Sequence, residues 1–188
     1  MILNEALAVA SLCGLAGISI GSLASRLGLS KSGLFAHFGS KEALQQRVLE
    51  EISNRFVEAV IRPALALSTG EERLRTCFMR WLQWTEGQNL PGGCPMLAAV
   101  LELDDQPGRL RDYIEQQQQS WLSSISKMAQ RAIRDGVFRG DLDTRQFAFD
   151  MNSIGLGYNL SKRLLRDVEA DRRAMVSFER LLADAHIT

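Results

Sequence analysis

Residues 19–38 read SIGSLASRLGLSKSGLFAHF, and GSKEAL follows at 39–44. The spacing predicts two short helices around a tight Gly28-Leu29-Ser30 turn. Leu23, Ala24 and Leu27 face inward on the first helix, and Leu34 and Phe38 on the second. Ala24 is small, as the crossing of two short helices requires, and Gly28 supplies the backbone freedom of the turn. A pair built this way can lay its second helix in the major groove of DNA while the first spans the backbone.

The outward face of that second helix shows Lys31, Ser32, Gly33, Phe35 and His37. Small Ser32 and Gly33 allow close approach to base edges. Lys31 and the Ser30 hydroxyl can meet phosphates or a guanine edge. Ser40 and Lys41 open the next helix, where free backbone N–H groups favour a phosphate oxygen.

These residues resemble the tetracycline-repressor-like (TetR) family. Its pattern is a hydroxyl residue opening helix two, Ala-x-x-x-Gly-[Val/Leu]-Ser through the turn, Leu-[Tyr/Phe]-x-His-Phe, then x-Lys-Glu-x-Leu. The matching residues are Ser19, Ala24 to Ser30, Leu34 to Phe38 and Ser40 to Leu44. The resemblance covers about the first 55 residues. It implies that Lys31–Phe38 is the recognition helix and that Ser19, His37 and Lys41 lie near the DNA backbone. Phe35 stands where the family usually has tyrosine, and no Lys or Arg precedes Arg26.

Outward from this stretch the apolar residues recur at helical spacing and strand-like alternation is absent. A first helix buries Leu3, Ala6, Ala10 and Cys13 and ends at Gly14 and Gly17. Ser40 caps a long fourth helix with Leu44, Val48, Ile52, Phe56 and Ala59 on one face, which Pro63 kinks or ends. A fifth runs from about Glu71 through Trp84, and Gly87–Pro95 reads as loop. Met96–Leu103 is a short sixth. Asp105-Gln106-Pro107 reads as the cap and first turn of a seventh that ends at Asp135-Gly136. An eighth covers roughly 144–165 and a ninth about 169–185. The expectation is an all-α chain of about nine helices. Residues 1–47 form a three-helix DNA-binding head, and 48–188 a helical ligand-binding and dimerisation domain.

With 188 residues, 46% hydrophobic and 23% charged, the composition suits a globular protein, and the formal net charge is zero. Any DNA-binding surface is therefore local. Residues 1–47 carry four cations, Arg26, Lys31, Lys41 and Arg47, against Glu5 and Glu42, a net of plus two. The apolar stretch 6–18 lacks the basic start of a signal peptide, and no apolar run approaches the ~18–20 residues of a spanning helix. The expected location is cytoplasmic. Cys13, Cys77 and Cys94 form no CxxC pair and there are two histidines, so neither a disulfide framework nor a metal site follows, and no cofactor is expected.

In TetR-like proteins the region equivalent to helices five to eight encloses an effector pocket. The resemblance thus implies Trp81, Trp84, Cys94, Met96, Leu101, Trp121, Phe147 and Met151 as candidate ligand contacts, with plain core packing as the alternative. Cys94 precedes a helix start, which favours thiolate and would suit an oxidant or electrophile sensor; a buried, inert thiol is the preferred reading. The glycines of Ile154-Gly155-Leu156-Gly157-Tyr158 weaken a helix interior, which close packing against another helix would offset. By resemblance, helices eight and nine form a dimer bundle, with Ile154, Gly155, Tyr158, Met175, Phe178 and Leu182 at the interface. A glycine-widened pocket is the alternative.

The function expected is a repressor, a homodimer on a palindromic double-stranded operator, released by a small apolar or aromatic effector. An all-helical enzyme using Cys94 is disfavoured, because only His37 and His186 could serve as base and both are remote in sequence. A protein-interaction adaptor is the third reading.

Overall fold

The structure, a computed structural model, describes residues 1–86 and 90–187. Among them nine helices carry the fold: α1 Ile2–Cys13, α2 Ile20–Leu27, α3 Lys31–Phe38, α4 Lys41–Phe56, α5 Gly70–Thr85, α6 Pro95–Leu103, α7 Arg109–Arg134, α8 Thr144–Asn159 and α9 Ala170–Ala185. α4 continues through a π-turn at Val57–Ile61 into an α-turn at Arg62–Leu65, and α8 through a π-turn at Leu160–Leu164. The β-pairing among the described residues is one isolated bridge, Phe138 to His186. Residues 87–89 of the expected loop lie outside the described residues.

Helix starts follow local chemistry. The hydroxyl of Ser19 accepts from the Ser22 N–H at 3.0 Å, that of Ser30 from Gly33 at 3.1 Å and that of Ser40 from Ala43 at 3.0 Å. Thr69 and Glu72 make a reciprocal capping box at α5. Asp143 caps α8, and the N–H groups of Gln146 and Arg145 hold its carboxyl below the usual range. Each such cap is worth about 1 kcal/mol.

Three expectations are corrected. Cys13 is exposed and Leu3 half-buried; α1 buries Ala6, Leu7, Val9 and Ala10 instead. Because α1 is apolar nearly all round, periodicity does not single out the buried stripe. At Pro63 the missing N–H and the clash with the carbonyl of Ala59 do not end the helix. The preceding turn widens into the π-turn that contains Ala59, and the helix goes on to Leu65. Asp105-Gln106-Pro107 does not begin α7. The Gln106 N–H bonds to the Leu103 carbonyl and its side chain to the Glu102 carbonyl, so this stretch finishes α6. Gly108 then turns at φ +147°, and α7 starts at Arg109.

The helices gather into two units. Unit 1 comprises Met1–Phe56 with Gly87–Gln117, and its core holds Ala6, Leu7, Leu15, Ile18, Leu23, Leu34, Leu44, Val48, Leu49 and Ile52. Unit 2 comprises Val57–Glu86 with Gln118–Thr188. Its core is aromatic: Phe78 stacks on Phe178 with ring centroids 4.1 Å apart, Trp81 meets Trp121 edge-on at 4.9 Å, and Phe138 packs against Phe147.

Candidate functional site

In unit 1, α2 ends where Gly28 adopts the left-handed conformation at φ +64°, and the Leu29 N–H reaches back to the Ala24 carbonyl at 2.9 Å. Ser30 then caps α3. Leu34 is the one buried residue of this eight-residue helix, and Phe38 is half-buried. Burying Leu34 contributes roughly 1.5–3 kcal/mol, so α3 is pinned along one edge and presents the rest outward. Gly33 has its own local reason: a Cβ there would lie 2.9 Å from the Ser30 hydroxyl that caps the helix.

The eight residues expected to meet DNA, Ser19, Ser30, Lys31, Ser32, Gly33, Phe35, His37 and Lys41, are all exposed. The structure also assigns local tasks to some of them. Ser19 and Ser30 use their hydroxyls as caps. Lys41 Nζ donates to the Ala16 carbonyl at 2.9 Å and, with three donors, can share itself with a phosphate. Lys31 makes no ion pair among the described residues, whereas Arg26 pairs with Glu5 and Arg47 with Glu50. Phe35, 54% exposed, presents a large apolar surface. An open groove of about 410 Å³ beside the C-terminal end of α3 is lined by Arg47, Arg109, Glu42, Glu50 and His37 among others, and its formal charges nearly balance.

The residues expected around an effector divide between the units. Trp81, Trp84, Trp121, Phe147 and Met151 are buried in unit 2, while Cys94 and Met96 are half-buried and Leu101 exposed in unit 1. The Trp121 indole N–H is satisfied by Asn152 at 2.9 Å. Cys94 is the N-cap of α6 and makes no side-chain cap bond. Cys77 lies fully in the core, where burial pushes its thiol up to about 12.

Of the residues expected at a dimer interface, Gly155, Tyr158, Phe178 and Leu182 are buried within the chain, and Ile154 and Met175 are half-buried. Gly155 has an intrachain partner: a Cβ there would fall 2.0 Å from the Trp81 ring. Tyr158 bonds to Asp171 at 2.9 Å and to Glu86 at 3.2 Å; burial, then the two carboxylates, push its phenol above the usual range. Two features were not marked in the sequence reading. Gln45, buried, donates to the Leu15 carbonyl at 2.8 Å. Phe149, Leu156, Leu160 and Leu164 form an exposed apolar stripe along α8 and its π-turn. At about 100° per residue this stripe lies opposite the Phe147, Met151 and Tyr158 face. Its spacing of seven, four and four residues was available as a signal.

With α2, the Gly28 turn and a capped α3 that exposes Lys31, Ser32, Gly33, Phe35 and His37, this part of unit 1 has the architecture of a helix-turn-helix. Comparison with known proteins agrees. The family model for bacterial regulatory proteins of the tetR family matches residues 2–48, and that for the tetracyclin repressor-like C-terminal domain matches residues 70–178. The chain belongs to the TetR family of transcriptional regulators.

Among solved structures, the TetR-family regulator from Cytophaga hutchinsonii is 26% identical, with 100% of this chain and 94% of that one covered and a TM-score of 0.85. A TetR regulator from Chloroflexus aurantiacus is 23% identical, with coverage of 97% and 90% and a TM-score of 0.79. AibR, solved in complex with isovaleryl coenzyme A and operator DNA, is 20% identical, with coverage of 98% and 96% and a TM-score of 0.72. The last two likenesses establish fold alone. No curated protein matches the chain in sequence.

Proposed function

We propose that this chain is a homodimeric repressor that reads a palindromic operator through α3 and is released by a small apolar or aromatic effector. The observation that carries the reading is the exposure of Lys31, Ser32, Gly33, Phe35 and His37 on a helix pinned by Leu34. A major groove admits a helix of this kind, and Lys31 and Lys41 beside it supply cations for phosphates, since Arg26 and Arg47 are paired with Glu5 and Glu50. The division of labour expected from the sequence, reading by 1–47 and sensing and pairing by 48–188, is part of this proposal.

For the dimer, the surface that suits a second copy is the exposed stripe of Phe149, Leu156, Leu160 and Leu164, since much of the opposite face is occupied within the chain. Gly157, where a Cβ would meet nothing within 4 Å, sits beside this stripe and leaves room for close helix approach. Two such copies would set two α3 helices on successive major-groove faces, about 34–36 Å apart on straight B-form DNA. For the effector, the supporting feature is the apolar, tryptophan-rich interior of unit 2; the isovaleryl coenzyme A named for AibR shares with such an effector only its apolar acyl end. An effector releases DNA only if it binds the DNA-incompetent conformation better than the competent one. The protein would act in the cytoplasm, and among the described residues no helix is long and apolar enough to cross a membrane.

The test is selection of duplexes from a random pool by the wild-type protein, followed by light scattering of the free protein. Enrichment of a palindrome and a dimer that Leu160→Glu converts to monomer are expected. Enrichment of no duplex would defeat the DNA-binding reading, and a stable monomer at micromolar concentration the dimer.

A further inference from the structure

The corner between α1 and α2 is Gly14-Leu15-Ala16, and side chains from elsewhere in unit 1 take up the backbone groups at its centre. Glu102 of α6 accepts from the Leu15 N–H through Oε2 at 2.8 Å and from the Ala16 N–H through Oε1 at 2.6 Å. On the carbonyl side, Gln45 Nε2 donates to Leu15 at 2.8 Å and Lys41 Nζ to Ala16 at 2.9 Å. The backbone conformation at Gly14 favours glycine, and an added Cβ would also push against the Glu102 carboxylate. The φ of Gly14 is +69°, and a Cβ would stand 2.5 Å from Glu102 Oε2. Two consecutive N–H groups converging on one carboxylate form an anion nest, and both bonds are charge-assisted.

A second attachment lies at the other end of the same segment. The Gly92 N–H donates to the Ser11 hydroxyl and the Gly93 N–H to the Ser11 carbonyl, each at 3.0 Å. A Cβ on Gly92 would fall 1.9 Å from that carbonyl oxygen, so only glycine fits. Residues 92–103 are thus fastened to the end of α1 and to the corner after it. From that corner the chain passes through buried Ile18 to Ser19, the cap of α2. The point from which α2 and α3 are hung is the point that Glu102 grips.

We propose that Glu102 is a positioning residue for DNA binding. It ties the α1–α2 corner to α6 and holds α2 and α3 in the pose that meets DNA, so the reading head includes residues 92–103 as well as 1–47. This rests on the reading of α3 as the DNA-contacting helix.

The test uses the full chain and the duplex that the wild-type protein selects from a random pool. Glu102→Gln removes the charge and aims an amide donor at one of the two N–H groups. Amide hydrogen exchange at Leu15 and Ala16 should quicken while protection across α2 and α3 stays as in wild type. Affinity for the duplex should fall roughly tenfold, the scale set by weakening one or two charge-assisted bonds. The slope of log K against log salt should not change, because the bound complex keeps its phosphate contacts and only the competent fraction drops. Gly92→Ala, which loosens the Ser11 attachment and leaves Glu102 in place, should weaken binding in the same direction. Wild-type affinity in both variants overturns the proposal. So does a reduced salt slope, which would make Glu102 part of the contact, or loss of protection throughout α2 and α3, which would make it fold support only. A wild-type chain that selects no duplex overturns the DNA-binding reading beneath it.

Discussion

At Gly14 the missing side chain makes room for a carboxylate; at Gly155 it makes room for an indole. The first contact, in unit 1, is two directional hydrogen bonds to backbone N–H groups, and the second, in unit 2, is close packing of a ring on a helix. Hydrogen bonds specify angle and partner, whereas packing specifies volume. The head should therefore be sensitive to exchange of a donor or charge at small cost in stability. The aromatic unit should be sensitive to added or lost volume at large cost.

The largest expected effect is at Gly155. Gly155→Leu should destabilise the protein by about 3 kcal/mol, the upper end of ordinary overpacking, and the double variant with Trp81→Ala should be less destabilised than the sum of the two single changes. Urea denaturation measures both. A gain in stability, up to ~1 kcal/mol from better helix propensity, would show that Trp81 does not lie on α8. Next comes Gly14→Ala. With φ +69° and ψ −177° the position is open essentially to glycine alone, and alanine should cost about 1–3 kcal/mol.

Gly28→Ala sharpens the contrast within unit 1. Its φ is +64° but nothing lies within 4 Å of a Cβ, so only the conformational cost of about 1 kcal/mol applies. If Gly28→Ala proves as costly as Gly14→Ala, neither the extended ψ of −177° at Gly14 nor its carboxylate neighbour adds to the demand for glycine there. The smallest effect is a pH dependence in unit 2. The Lys162 ammonium, with Tyr158, holds the Asp171 carboxyl below its ordinary value of 3.8. A depressed carboxylate stabilises above its unfolded pKa, and that contribution is lost as pH falls below about 3.8. Asp171→Asn should therefore flatten the acid limb of the stability–pH curve slightly while leaving its shape above pH 5 unchanged.

The starts of α2, α3 and α4 were legible because caps are local: Ser19, Ser30 and Ser40 each bond within three residues of themselves. The outward face of α3 was legible for the same reason, since a short helix with one inward leucine leaves little choice. Long-range partners were not. Nothing in the spacing of Glu102 points to Leu15 and Ala16, more than eighty residues away. Nor does helical periodicity say whether the partner of Phe178 or Leu182 lies in the same chain or in a second copy; in the structure both are buried within their own unit. That the chain takes up Pro63 with a π-turn instead of ending the helix was not legible, because a π-turn leaves no local mark in the residues around it.

The central claim is that α3 meets DNA through its exposed face, and the most direct measurement is a salt titration of duplex binding by wild type and Lys31→Ala. Fluorescence anisotropy on the selected duplex gives log K against log salt for each. Removal of one phosphate contact should lower the slope by about 0.9 for each α3 that is bound, with weaker binding at every salt concentration. An unchanged slope and unchanged affinity in Lys31→Ala would contradict the account and place the DNA-binding surface elsewhere on the molecule.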